Sequence, residues 1–234
     1  CGGDLINGGT TEEAISDINE FISQMKKSAK NIYTILGNHD LNTLDGGTSF
    51  INNEFYTFAQ KISENKFVYG DDNYFYFDNA MAKTRYICLD SYLGNGRNSE
   101  VQINWLNDVL TSTNSDWHII IFVHTIYISS SDYTNKIISS FMTSVIAILD
   151  EYNSVSENAK IEAIFAGHSH QDYNTSTSAG IPIILIDCDT WQGKPLSYKG
   201  TYQEQAFDIV TLNYIEKKIY CVRVGRGNNR IISY

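Results

Sequence analysis

Four of the five histidines in this chain stand at or just beyond the end of an apolar, strand-like run. In an open α/β sheet, the ends of neighbouring parallel strands meet in one crevice, where ligands bind. We therefore expect these imidazoles to converge on a common site. The four are His39, His124, His168 and His170.

Oxygen donors accompany these histidines. Asp4 is the first polar residue after Gly2-Gly3, and Asn38 and Asp40 flank His39. Asp, Asn and His side chains without a cysteine cluster favour a divalent ion such as Mn, Fe, Zn or Mg over a structural zinc finger. Taken singly, Asp4 could be a turn residue or helix cap. His118, which opens a strand, is interpreted as a structural histidine.

Helical periodicity predicts the elements that lie between these residues. In the first helix, Thr10 and Glu13 form a predicted capping box. Ile15, Ile18, Ile22 and Met25 fall on its expected buried face. The predicted helices are residues 10–27, 50–63, 99–110 and 134–152.

Short apolar or alternating runs predict the strands. Three of them lead into the histidine loops, two form a hairpin, and the last three leave a β-rich tail. This order predicts one α/β domain over residues 1–234, with two packed β-sheets flanked by helices. The predicted strands are 32–36, 74–78, 84–90, 119–123, 161–166, 181–186, 206–212 and 218–224.

Composition narrows the class of function. A net charge of −10 disfavours nucleic acid and anionic membranes as partners. No apolar run has the length of a membrane span, so we expect a soluble protein. The cysteines lack CxxC spacing, which indicates reduced thiols and a cytoplasmic location. An acidic protein that acts on phosphate needs local positive charge, which bound metal ions supply.

The motifs Gly3-Asp4, Gly37-Asn38-His39-Asp40, strand-terminal His124 and Gly167-His168-Ser169-His170, in that order, resemble the calcineurin-like metallophosphoesterase family. The resemblance spans nearly the whole chain and implies a four-layer αββα sandwich. It also implies that Asp4 bridges two metals, that Asn38, His124 and His168 complete the second metal's shell, and that His170 binds the first metal. His39 would stabilise the substrate phosphate or protonate the leaving oxygen, with Asp40 orienting it.

The resemblance implies two divalent ions, with Mn favoured, and a metal-bound hydroxide as nucleophile. The expected activity is hydrolysis of a phosphate ester, either a phosphomonoester or a small phosphodiester. Two alternatives are a catalytically silent binding or structural module of the same fold and a nuclease, which the acidic surface disfavours. Oligomeric state and natural substrate stay open.

Two departures from the family pattern change these expectations. The family opens with an Asp-x-His motif and a first strand, yet only Cys1, Gly2 and Gly3 precede Asp4. We therefore expect the first strand to be missing, one metal to bind well, the other poorly, and activity to be impaired.

The second departure concerns arginine. Residues 5–9 and Leu36 include none of the arginines that protein Ser/Thr phosphatases carry there, which disfavours that class. Three arginines near the end of the chain instead resemble the terminal strand of bacterial and phage members. We expect them to pair with local carboxylates: Arg223, Arg226 and Arg230.

Overall fold

The computed structural model describes most of the chain. The predicted helix over 50–63, the start of the predicted helix over 134–152, Cys1 and Cys188 lie outside the described residues. Cys88 and Cys221 are buried free cysteines. The described residues are 2–28, 32–41, 68–69, 74–91, 99–126, 139–155, 157–187 and 196–234.

Within the described residues, the larger sheet has seven strands in the order β1-β2-β3-β4-β5-β7-β6. Its centre, β3-β4-β5-β7, is parallel, whereas β1 and β2 at one edge and β6 at the other pair antiparallel. The predicted hairpin and the predicted central strands are therefore confirmed. The strands are β1 (Val68–Tyr69), β2 (Phe75–Asn79), β3 (Thr84–Leu89), β4 (His118–Val123), β5 (Lys160–Ala166), β6 (Tyr173–Ser176) and β7 (Pro182–Leu185).

The helices are α1 (Thr11–Ser28), α2 (Ser99–Thr111) and α3 (Ser140–Ser154). Side chains of α2 and α3 pack with those of β3, β4, β5 and β7 in the largest hydrophobic cluster. The capping box of α1 is confirmed, since Thr10 Oγ1 accepts from the Glu13 N–H and the Glu13 carboxylate accepts from the Thr10 N–H. None of the helices in the described ranges is both long and apolar enough to span a membrane.

The buried face of α1 differs from its prediction at one position. Ala14, Ile18 and Ile22 pack against Ile6, whereas Ile15 is 37% exposed. The buried stripe follows the i, i+4, i+8 row, and Ile15 lies beside that row.

The smaller sheet is antiparallel, in the order β10-β9-β8. Apolar side chains of β9 pack against β4, β5 and β7, so the two sheets share a core, as predicted. Helices flank the sheets, which confirms the α/β class; the single-domain assignment over 1–234 stays a prediction. The strands are β8 (Ala206–Asn213), β9 (Lys218–Gly225) and β10 (Arg230–Ser233).

Residues 32–36 were predicted to be a strand and are not assigned to one in the structure. Ile32, Thr34, Ile35 and Leu36 are nevertheless buried. The aromatic ring of Tyr33 stacks on Phe77, with centroids 3.6 Å apart. The segment is thus held by side-chain packing. An apolar run indicates that its residues are buried, but it does not indicate that they pair with a neighbouring strand.

Candidate metal centre

The carboxyl ends of the parallel strands place the predicted residues together. His124 follows β4, and the loop 167–170 follows β5. Asn38 and Asp4 belong to two segments outside the sheet. The side-chain oxygen of Asn38 contacts both His124 and His168. Site residues from four separate stretches of the sequence therefore meet at one edge, as predicted.

Asp4 has a left-handed backbone, with φ of 53°. The buried carboxylate of Asp40 fixes this turn: Oδ2 accepts from the N–H groups of Asp4 (2.9 Å) and Gly37 (2.8 Å), and Oδ1 from that of Leu5 (2.6 Å). Burial raises the pKa of Asp40 to about 6, although the backbone donors lower it. Asp40 therefore joins the two segments that carry Asp4 and Asn38.

Gly37 permits the closest approach in this region. A Cβ at position 37 would overlap the backbone nitrogen and Oδ1 of Asp4. Gly3 has φ of 87°, and a Cβ there would lie 2.6 Å from Nδ1 of His124. Only glycine at these two positions lets the Asp4 segment lie against both the 37–40 turn and His124.

The donor atoms of four predicted ligands converge. Asn38 Oδ1 lies 2.9 Å from His168 Nδ1 and 3.1 Å from His124 Nε2, and that Nε2 lies 3.1 Å from Asp4 Oδ2. Donor atoms of Asp4, His124 and His168 all lie within 4.8 Å of one another. A carboxylate, an amide oxygen and two imidazoles fit a divalent cation such as Zn, Mn or Fe.

The orientation of His124 is set by a backbone carbonyl. Nδ1–H donates to the carbonyl of Gly2 over 2.7 Å, which turns Nε2 toward Asp4 and Asn38. Such a hydrogen bond on the far nitrogen fixes the tautomer of metal-binding histidines. Gly2 was not among the predicted residues, because every residue has a backbone carbonyl and the residue type therefore does not indicate this role.

The environment favours the charged forms of Asp4 and His124 and the neutral form of His168. Burial opposes ionisation of both Asp4 and His124, but their hydrogen bond lowers the pKa of Asp4 and raises that of His124. Burial, followed by the positive charge of His124, lowers the pKa of His168 to about 4. His168 is therefore neutral at pH 7, the state in which imidazole binds a metal.

His39 lies beside this cluster. Its backbone N–H donates to Asp4 Oδ1 (2.9 Å), and its ring Nδ1 lies 2.9 Å from the carbonyl of Asn7. The ring thus has the Asn7 carbonyl as a partner, and the carboxylate of Asp40 accepts from backbone N–H groups. The role of Asp40 in orienting His39 stays a prediction. Asn7 was missed because, as with Gly2, only its main chain takes part.

His168 and His170 both have left-handed backbones, with φ of 64° and 50°. His170 is half-buried and follows His168 by two residues. Among the carboxylate and imidazole groups, those that converge belong to Asp4, His124 and His168. The role of His170 as a ligand of the other metal stays a prediction.

The three C-terminal arginines pair with carboxylates, as predicted. Arg223 binds Asp172 and Asp208, Arg226 binds Asp187, and Arg230 binds Asp208.

His118 also has its predicted structural role: Nδ1 lies 2.5 Å from Glu162 Oε1, and the ring stacks on Tyr214 at 3.5 Å.

Comparisons with known proteins give the family and the fold of this chain. A family model described as calcineurin-like phosphoesterase matches residues 1–172, which include every predicted site residue. The fold is similar to that of a dimetal phosphatase from Danio rerio, with a TM-score of 0.69. The two proteins are 15% identical over 95% of this chain and 78% of the other. No curated protein matches the chain.

Proposed function

Because this chain belongs to the calcineurin-like phosphoesterase family, we propose that it hydrolyses phosphomonoesters or small phosphodiesters with the help of divalent metal ions. The observation that carries this proposal is the convergence of Asp4, Asn38, His124 and His168 at the carboxyl ends of β4 and β5. The side chains of this set direct oxygen or nitrogen atoms toward one another. A buried imidazole (His124) and a half-buried one (His168) beside a carboxylate and an amide oxygen are suited to coordinate a cation.

The residues present suit one cation directly. Asp4, Asn38, His124 and His168 would hold it, and Asp4 and His170 would contribute to a second one. When bound, divalent cations neutralise phosphoryl charge and lower the pKa of water. Manganese is favoured among the candidates, and the mixture of oxygen and imidazole donors is compatible with Mn as well as with Zn or Fe.

His39 is proposed to supply a proton. Its Nδ1 lies 2.9 Å from the Asn7 carbonyl, which can only accept, so Nδ1 carries a hydrogen. To give a proton to the leaving oxygen of the ester, Nε2 must carry a second hydrogen, so His39 acts in its doubly protonated form and is left as the imidazole with its hydrogen on Nδ1. The hydrogen bond from the His39 N–H to Asp4 Oδ1 keeps this residue beside the metal ligands.

The charges around the site support a small substrate. Arg223, Arg226 and Arg230 are bound to Asp172, Asp187 and Asp208, so their guanidinium groups are engaged within the protein. Position 36, before the Gly-Asn-His turn, holds leucine. We therefore propose a substrate other than a phosphoprotein, recognised chiefly through its phosphate.

The buried free thiols Cys88 and Cys221 support a cytoplasmic location.

The test is hydrolysis of p-nitrophenyl phosphate and bis-p-nitrophenyl phosphate with Mn, Zn, Fe or Mg. The protein is assayed with any upstream residues that its gene encodes. His39→Ala and Asp4→Ala should each reduce kcat by about 100-fold or more, whereas the matched control His118→Ala keeps its rate. If no metal gives turnover of either ester, the silent binding module replaces the hydrolase.

A further inference from the structure

The loop that carries His168 and His170 is under backbone strain. Both residues have positive φ, a conformation that side chains with a Cβ seldom adopt. Such conformations persist only where the surrounding structure holds them. The structure must therefore restrain this loop from outside.

At its start, the loop is tied to β4. The N–H of Gly167 donates to the carbonyl of His124 over 3.0 Å, and the N–H of Ser169 donates back to the Gly167 carbonyl over 2.7 Å. A Cβ at position 167 would lie 3.4 Å from the carbonyl oxygen of Gly2, in ordinary van der Waals contact, so Gly167 lies beside the segment that orients His124. These contacts fix the first half of the loop next to His124.

At its end, the loop is tied to the smaller sheet. Arg223 Nη1 donates to Asp172 Oδ2 over 2.7 Å, and Nη2 donates to Oδ1 over 2.6 Å, which is a bidentate fork. Oδ1 of Asp172 also accepts from the N–H of Asp187, at 3.2 Å. Asp172 lies two residues after His170 and thus fixes the point where the loop leaves the site.

Arg223 is itself rigidly held. Its side chain is 2% exposed and lies on the face of β9 that carries Ile219 and Cys221 into the core between the sheets. Nε donates to Asp208 Oδ1 over 2.6 Å, and Nη1 also donates to the carbonyl of Arg226 over 2.6 Å. The fork offered to Asp172 therefore has a fixed position and direction.

Stability alone does not explain such a pair. Well-packed apolar residues often match or exceed such an ion pair in stability, because desolvating the guanidinium of Arg223 (2% exposed) and most of the carboxylate of Asp172 (25% exposed) is costly. A planar guanidinium bound at both oxygens instead fixes the position and plane of a carboxylate. This favours orientation of the loop as the purpose of the pair.

We propose that Arg223 is a positioning residue of the metal centre. Through Asp172 it holds the strained loop in the conformation that presents His168 and His170 to metal, although it binds neither metal nor substrate. The proposal rests on the proposed function, because the ligands that it positions would bind the divalent cations.

Arg223→Lys tests this, because lysine keeps the charge but cannot form the fork. The matched control is Arg85→Lys: Arg85 also forms a fork, to Asp78 at 2.8 and 2.9 Å, far from the site on the β2–β3 hairpin. We expect the Kd for Mn²⁺, measured by titration calorimetry, to rise about 10- to 100-fold in Arg223→Lys. In the control it should stay within about twofold of the parent value. Asp172→Asn should reproduce the Arg223→Lys effect, and it decides the matter if Arg223→Lys does not fold.

A second readout needs no metal. Hydrogen exchange of the amides in residues 167–172 should speed up in metal-free Arg223→Lys but not in Arg85→Lys. A parent protein that binds no Mn²⁺ would refute the proposed function, and the exchange rates alone would then decide whether Arg223 positions the loop. Unchanged Mn²⁺ affinity and unchanged exchange in Arg223→Lys, or equal changes in the control, would overturn the inference.

Discussion

The carboxylate of Asp40 accepts a 2.9 Å hydrogen bond from the backbone N–H of Asp4, 36 positions away in the chain. Asp40 Oδ1 also accepts from the Leu5 N–H. In Asp40→Asn, one oxygen becomes an NH₂ group that must face an N–H donor. The buried donor left unsatisfied should lower the free energy of unfolding by about 1–3 kcal/mol.

The same variant should weaken Mn²⁺ binding, because Asp4 loses its anchor. Urea denaturation and calorimetry measure the two effects on one sample. Wild-type stability combined with wild-type affinity would show that Asp40 is not needed to hold Asp4.

Gly37→Ala probes the close approach between the two segments. The added methyl would overlap backbone and side-chain atoms of Asp4, so Asp4 must move and metal affinity should fall by at least about tenfold. Gly2→Ala is the control, since a Cβ there meets nothing within 4 Å and the carbonyl that binds His124 is kept. Equal affinities of the two variants in calorimetry would contradict the close packing of Asp4 against Gly37.

Metal should stabilise the folded chain. Binding to the folded state alone adds about 2.7 kcal/mol to the free energy of unfolding when free Mn²⁺ is 100 times its Kd. His168→Asn should abolish most of this gain, because asparagine tolerates positive φ yet lacks the imidazole. His118→Ala, in contrast, should lower stability with and without metal and keep the gain. Urea midpoints with Mn²⁺ and with EDTA distinguish these outcomes.

Low pH should weaken the buried ion pairs that Asp208 forms with Arg223 and Arg230. Burial opposes its ionisation, but hydrogen bonds from Arg223 and Arg230 keep the pKa of Asp208 below its ordinary 3.8. Because the folded pKa is the lower one, the stabilisation is present above the ordinary pKa and is lost as pH falls through the folded value.

Asp208→Asn should therefore lower the free energy of unfolding by about 3–5 kcal/mol near pH 7, since the side chain is 0% exposed and pairs with two arginines. The difference from the parent should shrink below about pH 4. Asp116→Asn removes an ion pair whose carboxylate is 59% exposed, and it should have little effect at any pH. A pH-independent deficit of Asp208→Asn in urea unfolding would argue against the ionic account.

The residues of the site were largely predictable because apolar runs and polar breaks mark strand ends. His124 follows β4 directly, His168 follows β5 after Gly167, and Asn38 and Asp4 were identified by their motifs. The contacts that orient these residues were not predictable. Asn7 and Gly2 act through carbonyl groups, and the pairing of Asp172 with Arg223 joins positions 51 apart.

Elements without a buried face also escaped prediction. β6 and β10 alternate between half-buried and exposed residues, so neither shows the apolar pattern of a core strand. Residues 32–36 show the opposite case: their apolar run predicted a strand, and Ile35 and Leu36 are buried, yet the structure forms no strand there. Apolar pattern reports burial, whereas strand pairing depends on a partner elsewhere in the chain.

The wide spacing of the ligands has a consequence for folding kinetics. Asn38 and His168 are 130 positions apart, and Gly2 and His124 are 122 apart. Contacts between such distant positions form late, because closing long loops costs entropy before the contacts repay it. The coordination site should therefore be incomplete in the folding transition state, so that bound metal slows unfolding and leaves the folding rate nearly unchanged.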